Sequence, residues 1–346
     1  MSIPHELTRR RLLAHLGALG GGALLSSAGV ARAVTAAPLA RGVIDVHHHV
    51  ASPSWLASGG TPEEGQVFNG WSIPNTLAEM DAAGVSTAYV SFTVPGHRFD
   101  DPAAARRVSR ECNQYMADVR AQHPGRFGFF ALLPMPNVAD SLAEIAYAYD
   151  TLKADGIGFF TSYGTTRIGD TSFDPVFAEL NRRKAVVFVH PSVGPCCAAT
   201  QPLFPTALIE YGTDTTRAIA EYILNGGTQK FPNAKMIWSH MGGTMPYLVQ
   251  RFLAAGTRNI NPKYLSGVPN GFVAEAQKCF YDTSQIPSRG AMLALRAMVP
   301  ASQILFGTDY PYKEFDWTEK MLLDDAVFNA REMQGVFHQN AAGLFV

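Results

Sequence analysis

The sequence predicts an α/β chain, a (β/α)8 TIM barrel forming a single domain after an N-terminal signal peptide. Two observations carry the fold. From Val43 onward, eight short apolar runs alternate with longer segments of helical period over about 300 residues. Most of these runs are continuously apolar, as strands buried on both faces must be. The second observation is that histidines and one aspartate stand at the C-terminal ends of several runs, where a parallel barrel places its site. A doubly wound open sheet would share the alternation, but no G-x-G-x-x-G follows the first run.

The expected strands are GVIDV (42–46), STAYVSF (86–92), FGFFALL (127–133) and GIGFF (156–160), followed by AVVFVH (185–190), KMIWSH (235–240), KCFYDTS (278–284) and QILFGTD (303–309). Between them, TLAEMDAAG begins after Pro74 and stops at Gly84. The long segment from Asp101 starts at an Asp cap and ends at Pro124-Gly125. DSLAEIAYAYDTLKADG opens at Asp140-Ser141. DPVFAELNRRK and DTTRAIAEYILNGG start on Asp-Pro and Asp-Thr pairs, which predicts Asp174 and Asp214 as helix caps.

At 346 residues, with 47% hydrophobic and 16% charged content, the chain can bury a substantial core. A formal net charge of −1 and no basic block outside the N-terminus argue against nucleic acid or an anionic membrane as partner. The first 33 residues differ in kind. Thr8-Arg9-Arg10-Arg11-Leu12-Leu13 resembles a twin-arginine consensus, a short Gly/Ala/Leu run follows, and Ala31-Arg32-Ala33 is a small-residue cleavage site. The run is short for a membrane span of about 20 apolar residues, so export by the twin-arginine route to the periplasm or beyond is expected. Cleavage would remove four Arg and one Glu, leaving the mature chain at −4, with its domain over 43–346 and no stable membrane association. The four cysteines, Cys112, Cys196, Cys197 and Cys279, show no C-x-x-C spacing and do not predict a structural zinc site.

The chemistry begins at GVIDVHHHV. Successive side chains on a strand point to opposite faces, so His47 and His49 project together and His48 points away, as packing or a supporting group. His190 ends the fifth run, His240 the sixth and Asp309 the eighth. His47, His49, His190 and Asp309 form an N3O donor set for one divalent ion, zinc first and manganese as the alternative. His240 is then a fifth group beside the ion, an imidazole able to take or give a proton. Phe159 and Phe160 stand where a second metal would need a bridging lysine, which argues for one ion. His5, His15, His97, His123 and His338 read as loop or helix surface. Trp55, Trp71 and Phe92 read first as core, or else as an apolar wall for a ring.

The motifs IDVHHH, FVHP, SHMGG and FGTDYP resemble the amidohydrolase superfamily. More closely they resemble its amidohydrolase-related branch, which includes aminocarboxymuconate semialdehyde, resorcylate, 5-carboxyvanillate and 6-methylsalicylate decarboxylases. The resemblance runs from about Val43 to the closing NAAGLF, and RFGFFALLP, FDPVFAELNRR and VFVHPS…PCC tilt it toward the 6-methylsalicylate type. It implies a metal-dependent carboxy-lyase acting on a small aromatic acid, with Asp309 or His240 supplying the proton. It implies also that Arg251, twelve positions into SHMGGTMPYLVQR, binds a substrate carboxylate across a homodimer boundary. A helix-surface arginine is the competing reading of Arg251. The competing activities are a lactonase or amidohydrolase using the same metal, and an exported binding protein without turnover. Export itself departs from the mostly cytoplasmic members of that branch.

Overall fold

The computed structural model describes residues 42–57, 66–93, 101–192, 194, 204–255, 266–284, 287–313, 315–324 and 326–345. The expected export segment, His5, His15, His97, Cys196 and Cys197 lie outside them.

Eight strands follow the expected order: β1 Val43–His49, β2 Val85–Ser91, β3 Phe127–Leu132, β4 Gly156–Phe160, β5 Val186–His190, β6 Lys235–Trp238, β7 Phe280–Asp282 and β8 Ile304–Leu305. Each pairs in parallel with its sequence neighbour. The barrel closes where the chain beyond β8 meets β1. Val46 N donates to Phe306 O at 3.0 Å, Asp309 N to His47 O at 2.8 Å and His49 N to Tyr310 O at 2.7 Å. The principal helices after each strand are α1 Ile73–Ala82, α2 Pro102–Gln122, α3 Val138–Asp150, α4 Asp174–Arg183, α5 Glu210–Leu224, α6 Met245–Ala255, α7 Arg289–Met298 and α8 Phe315–Asp324. Strand-then-helix repeated eight times is a TIM barrel.

Two cores follow from this layering. Between sheet and helices lies a large apolar shell that includes Phe129, Phe159, Phe177 and Trp238. The lumen holds a smaller cluster of Ile44, Val46, Phe130, Val186, Phe188, Ile237 and Leu305, with Leu344 and Phe345 packed against it. Phe345 stacks on Tyr89 with ring centroids 3.6 Å apart.

Local chemistry explains the helix boundaries. Ser72 caps α1 by accepting from Asn75 N, and Asp101 caps α2 by accepting from Ala103 N. Three expectations shift. Helix α3 starts at Val138 under an Asn137 cap, so Asp140 sits in its first turn, where the macrodipole favours a negative charge. Asp174 is the first residue of α4 rather than its cap. Asp214 is not a cap either: α5 begins four residues earlier, and the buried Asp214 carboxylate accepts from Thr161 Oγ1 at 2.5 Å and Ser162 Oγ at 3.2 Å. Its side chain ties α5 to the chain just beyond β4. Strands β6, β7 and β8 are shorter than expected, because the chain leaves the ladder just where it delivers its polar groups. Cys112 and Cys279 are free and buried, and burial pushes both thiols up, to about 11 and about 12. Among the described residues no helix is long and apolar enough to cross a membrane.

Candidate metal centre and active site

Strand β1 carries a register shift between Asp45 and His48. Val46 belongs to the lumen cluster, yet the His47 ring also enters the lumen, edge-on to Phe188 at 4.9 Å. A bulge is the device that lets two neighbours face one side. Asp45 pins it, its carboxylate accepting from His47 N, Thr308 N and Thr308 Oγ1 at 3.0, 3.1 and 2.7 Å. His48 turns outward as expected, stacks on Tyr310 with ring centroids 4.8 Å apart and tilts against Phe315 at 5.5 Å.

His47, His49, His190 and Asp309 converge, one donor atom from each lying within 4.8 Å of the others, and all four are buried. Asp309 Oδ1 is 2.9 Å from His49 Nε2, 3.1 Å from His47 Nε2 and 4.0 Å from His190 Nε2. The two Nε2 atoms of His47 and His49 are themselves 3.1 Å apart. Ligands sharing an ion at about 2.0–2.1 Å stand roughly 3–3.4 Å from one another.

The opposite ring nitrogens are committed elsewhere. His47 Nδ1 donates to Asp282 Oδ2 at 2.7 Å, His49 Nδ1 to Ser91 O at 3.3 Å and His190 Nδ1 to Pro191 O at 3.0 Å. With Nδ1 carrying the hydrogen, each Nε2 presents a lone pair to the centre. Buried lone pairs aimed at one another and at a carboxylate repel unless a cation lies among them, so the residues present fit a divalent metal. The electrostatics agree. Burial, then the neighbouring imidazoles, hold His190 well below its usual range and therefore neutral. Burial alone would raise Asp309, but His47 and the hydrogen bonds around it hold the carboxyl well below its ordinary value. Burial likewise works against charge on His47, yet Asp282 and Asp309 outweigh it and push the imidazole up to about 10. That preference is for positive charge at this point of the lumen.

His240 stands apart from the four. Its Nε2 lies 3.5 Å from the other oxygen of Asp309, Oδ2. Its backbone is held tightly. His240 N donates to Asp282 Oδ1 at 2.9 Å, and residues 240–243 all have positive φ: His240 52°, Met241 55°, Gly242 76° and Gly243 63°. A Cβ on Gly243 would collide with Gly212 O, which accounts for the second glycine of SHMGG. Asp309 is also left-handed, at φ 69°. Non-glycine residues in that region cost about 1–3 kcal/mol each and gather at functional sites.

Asp282 is absent from the expected set. One carboxylate at the end of β7 binds His47 Nδ1 with Oδ2 and His240 N with Oδ1, and Ser284 Oγ also donates to Oδ1 at 2.7 Å. The only signal was an aspartate ending an apolar run, the same signal that marks Asp309. Around the mouth, Phe92 reaches a cavity beside His190. Trp55 and Trp71 pack edge-on to Phe68, and Tyr312 bridges Phe68 to His49. Tyr211, in the first turn of α5, lies 6.0 Å from His190 and parallel to His240 at 6.5 Å between ring centroids. Arg251 is exposed on α6, outside the cluster. His338 is exposed and His123 half-buried beside Phe127.

Known proteins are similar to this chain in sequence and fold. The chain is 36% identical over 287 residues to 6-methylsalicylic acid decarboxylase of Penicillium expansum, covering 79% of this chain and 86% of that one. It is 32% identical over 328 residues to decarboxylase macB of Penicillium terrestre, covering 87% and 94%. Among solved structures, a dihydroxybenzoic acid decarboxylase from Polaromonas sp. with bound manganese superposes with a TM-score of 0.77 at 20% identity, covering 88% and 97%. The family described as amidohydrolase matches residues 44–345, nearly the whole described barrel, and this chain belongs to that family.

Proposed function

We propose that this protein is a metal-dependent, nonoxidative decarboxylase of a small ortho-hydroxybenzoate of the 6-methylsalicylate kind. The observation that carries the reading is the division of Asp309. Oδ1 faces His47 and His49, while Oδ2 faces His240, so one carboxylate joins a donor set to a proton-handling imidazole. The curated relatives named as decarboxylases support the reaction class.

Decarboxylating an aromatic acid has one main obstacle. The ring carbon that bears the carboxylate must take a proton, at the cost of aromaticity, before the C–C bond breaks. As CO₂ leaves, the electrons of that bond return to the ring, and a phenol remains. His47, His49, His190 and Asp309 would hold a divalent ion, which would supply Lewis-acid charge to orient the acid and stabilise phenolate charge. Zinc suits the three-nitrogen, one-oxygen set, and manganese is the alternative. The His240–Asp309 pair delivers the proton, and its burial keeps bulk water from competing for the reactive carbon. Phe92, Tyr211 and Tyr312 offer apolar faces to a ring.

The test is a substrate panel. Metal-loaded protein should release CO₂ from 6-methylsalicylate or its hydroxybenzoate relatives. Acid release from lactones with every hydroxybenzoate untouched would establish the hydrolase alternative instead.

Arg251 takes part only through a second copy of the chain, because on α6 its side chain is exposed. In a homodimer it would bind the substrate carboxylate of the partner. Arg251→Ala should then raise KM more than it lowers kcat, whereas unchanged steady-state kinetics would make it a surface arginine. We propose also that the chain is exported by the twin-arginine route and cut near Ala33. Intact mass of extracytoplasmic protein should lack residues 1–33, and a full-length cytoplasmic product would contradict this.

A further inference from the structure

Strand β4 reads Gly156-Ile157-Gly158-Phe159-Phe160, and its side chains alternate. Phe159 turns outward and stacks on Phe177 of α4, with centroids 5.5 Å apart. Gly158 and Phe160 therefore face the lumen. In register, Phe160 pairs with His190, and Gly158 lies between Leu132 of β3 and Phe188 of β5. The lumen layer directly beneath His190 thus lacks one side chain, at Gly158. A cavity occupies this place, bounded by Phe92, Leu132, Gly158, Phe160, Phe188 and His190. Its volume is about 10 Å³ for the centre of a water-sized sphere, room for one group of water or methyl size. Ser91, whose carbonyl accepts from His49 Nδ1, also borders it, so the space abuts the donor cluster. Five phenylalanines and a leucine supply most of the residues around it, while Ser91 and His190 give it a polar edge toward the donor cluster.

We propose that this cavity receives a single methyl-sized apolar substituent on the substrate ring, and that Gly158 makes the room for it. The inference rests on the decarboxylase reading above. It adds that the enzyme selects an alkyl-bearing hydroxybenzoate over the bare one. A buried methyl in a shaped apolar pocket discriminates by about 10-fold or more in kcat/KM.

Gly158→Ala is a mild probe, because a Cβ there would meet its nearest neighbour, Phe130 Cβ, at 3.6 Å, an ordinary contact. The wild type should prefer 6-methylsalicylate to salicylate by about 10-fold or more. The alanine variant should lose most of that preference while its metal content stays unchanged. Leu132→Val enlarges the same space from the neighbouring strand and should shift preference toward 6-ethylsalicylate, so the idea survives poor folding of either variant alone. A methyl preference unaltered in both variants overturns the inference, as does a loss of activity equal for both acids. Absence of CO₂ from either acid with the wild type is a different failure, that of the decarboxylase reading itself.

Discussion

His240→Ala should keep its metal and lose turnover by about 10²–10⁴-fold, the usual worth of a positioned acid or base, or about 2.7–5.4 kcal/mol of barrier. Both halves follow from geometry. The His240 ring is outside the converging four, and its Nε2 approaches Asp309 Oδ2 at 3.5 Å. Removing it leaves every donor in place. It also removes the imidazole that the strained 240–243 turn holds beside Asp309. Metal content by elemental analysis and kcat on the same preparation check the two halves together. A variant stripped of metal would make His240 a ligand, and one that turns over normally would make it a bystander.

The second large effect is a graded loss of metal. A four-ligand zinc site is worth about 10–16 kcal/mol, so one ligand in four corresponds to roughly 3 kcal/mol. His190→Ala should therefore weaken binding by about 10²-fold or more. Asp282→Asn should lose less, about 10–100-fold, because it removes the carboxylate that fixes His47 in its Nδ1–H form while leaving all four ligands. Competition titration against a chelator ranks the variants. Asp282→Asn matching the wild type would reduce Asp282 to a structural hydrogen bond.

Most of the barrel could be read from the chain because its strands are buried on both faces. Runs such as VVFVH and FGFFALL have few alternatives as local structure. The His and Asp donors were legible for the same reason, since a polar residue ending such a run falls at the C-terminal rim. What stayed hidden depends on contacts distant in sequence. Nothing local marks the bulge between Asp45 and His48, because Asp45 acts through Thr308. Asp282 ends an apolar run as Asp309 does, and its role shows only once His47 and His240 are brought to it. Asp214 has the sequence context of a cap, but a buried partner at Thr161 places it inside α5. The positive φ values of His240 and Met241 fall in a turn packed against α5 and β7, a setting that no propensity reports. Phe68 and Tyr312 flank the site from segments without periodicity, and Tyr211 from the first turn of α5, ahead of its expected start at Asp214.

The reaction proposed for this site protonates the carboxylate-bearing ring carbon before CO₂ departs. Turnover of 6-methylsalicylate in D₂O, followed by mass spectrometry and NMR of the product, tests it most directly. One CO₂ per substrate consumed is expected, with a cresol carrying a single ring deuterium at the carbon that held the carboxylate. Intact 6-methylsalicylate and no CO₂ from metal-replete protein, beside ring opening of a lactone by the same preparation, would contradict it.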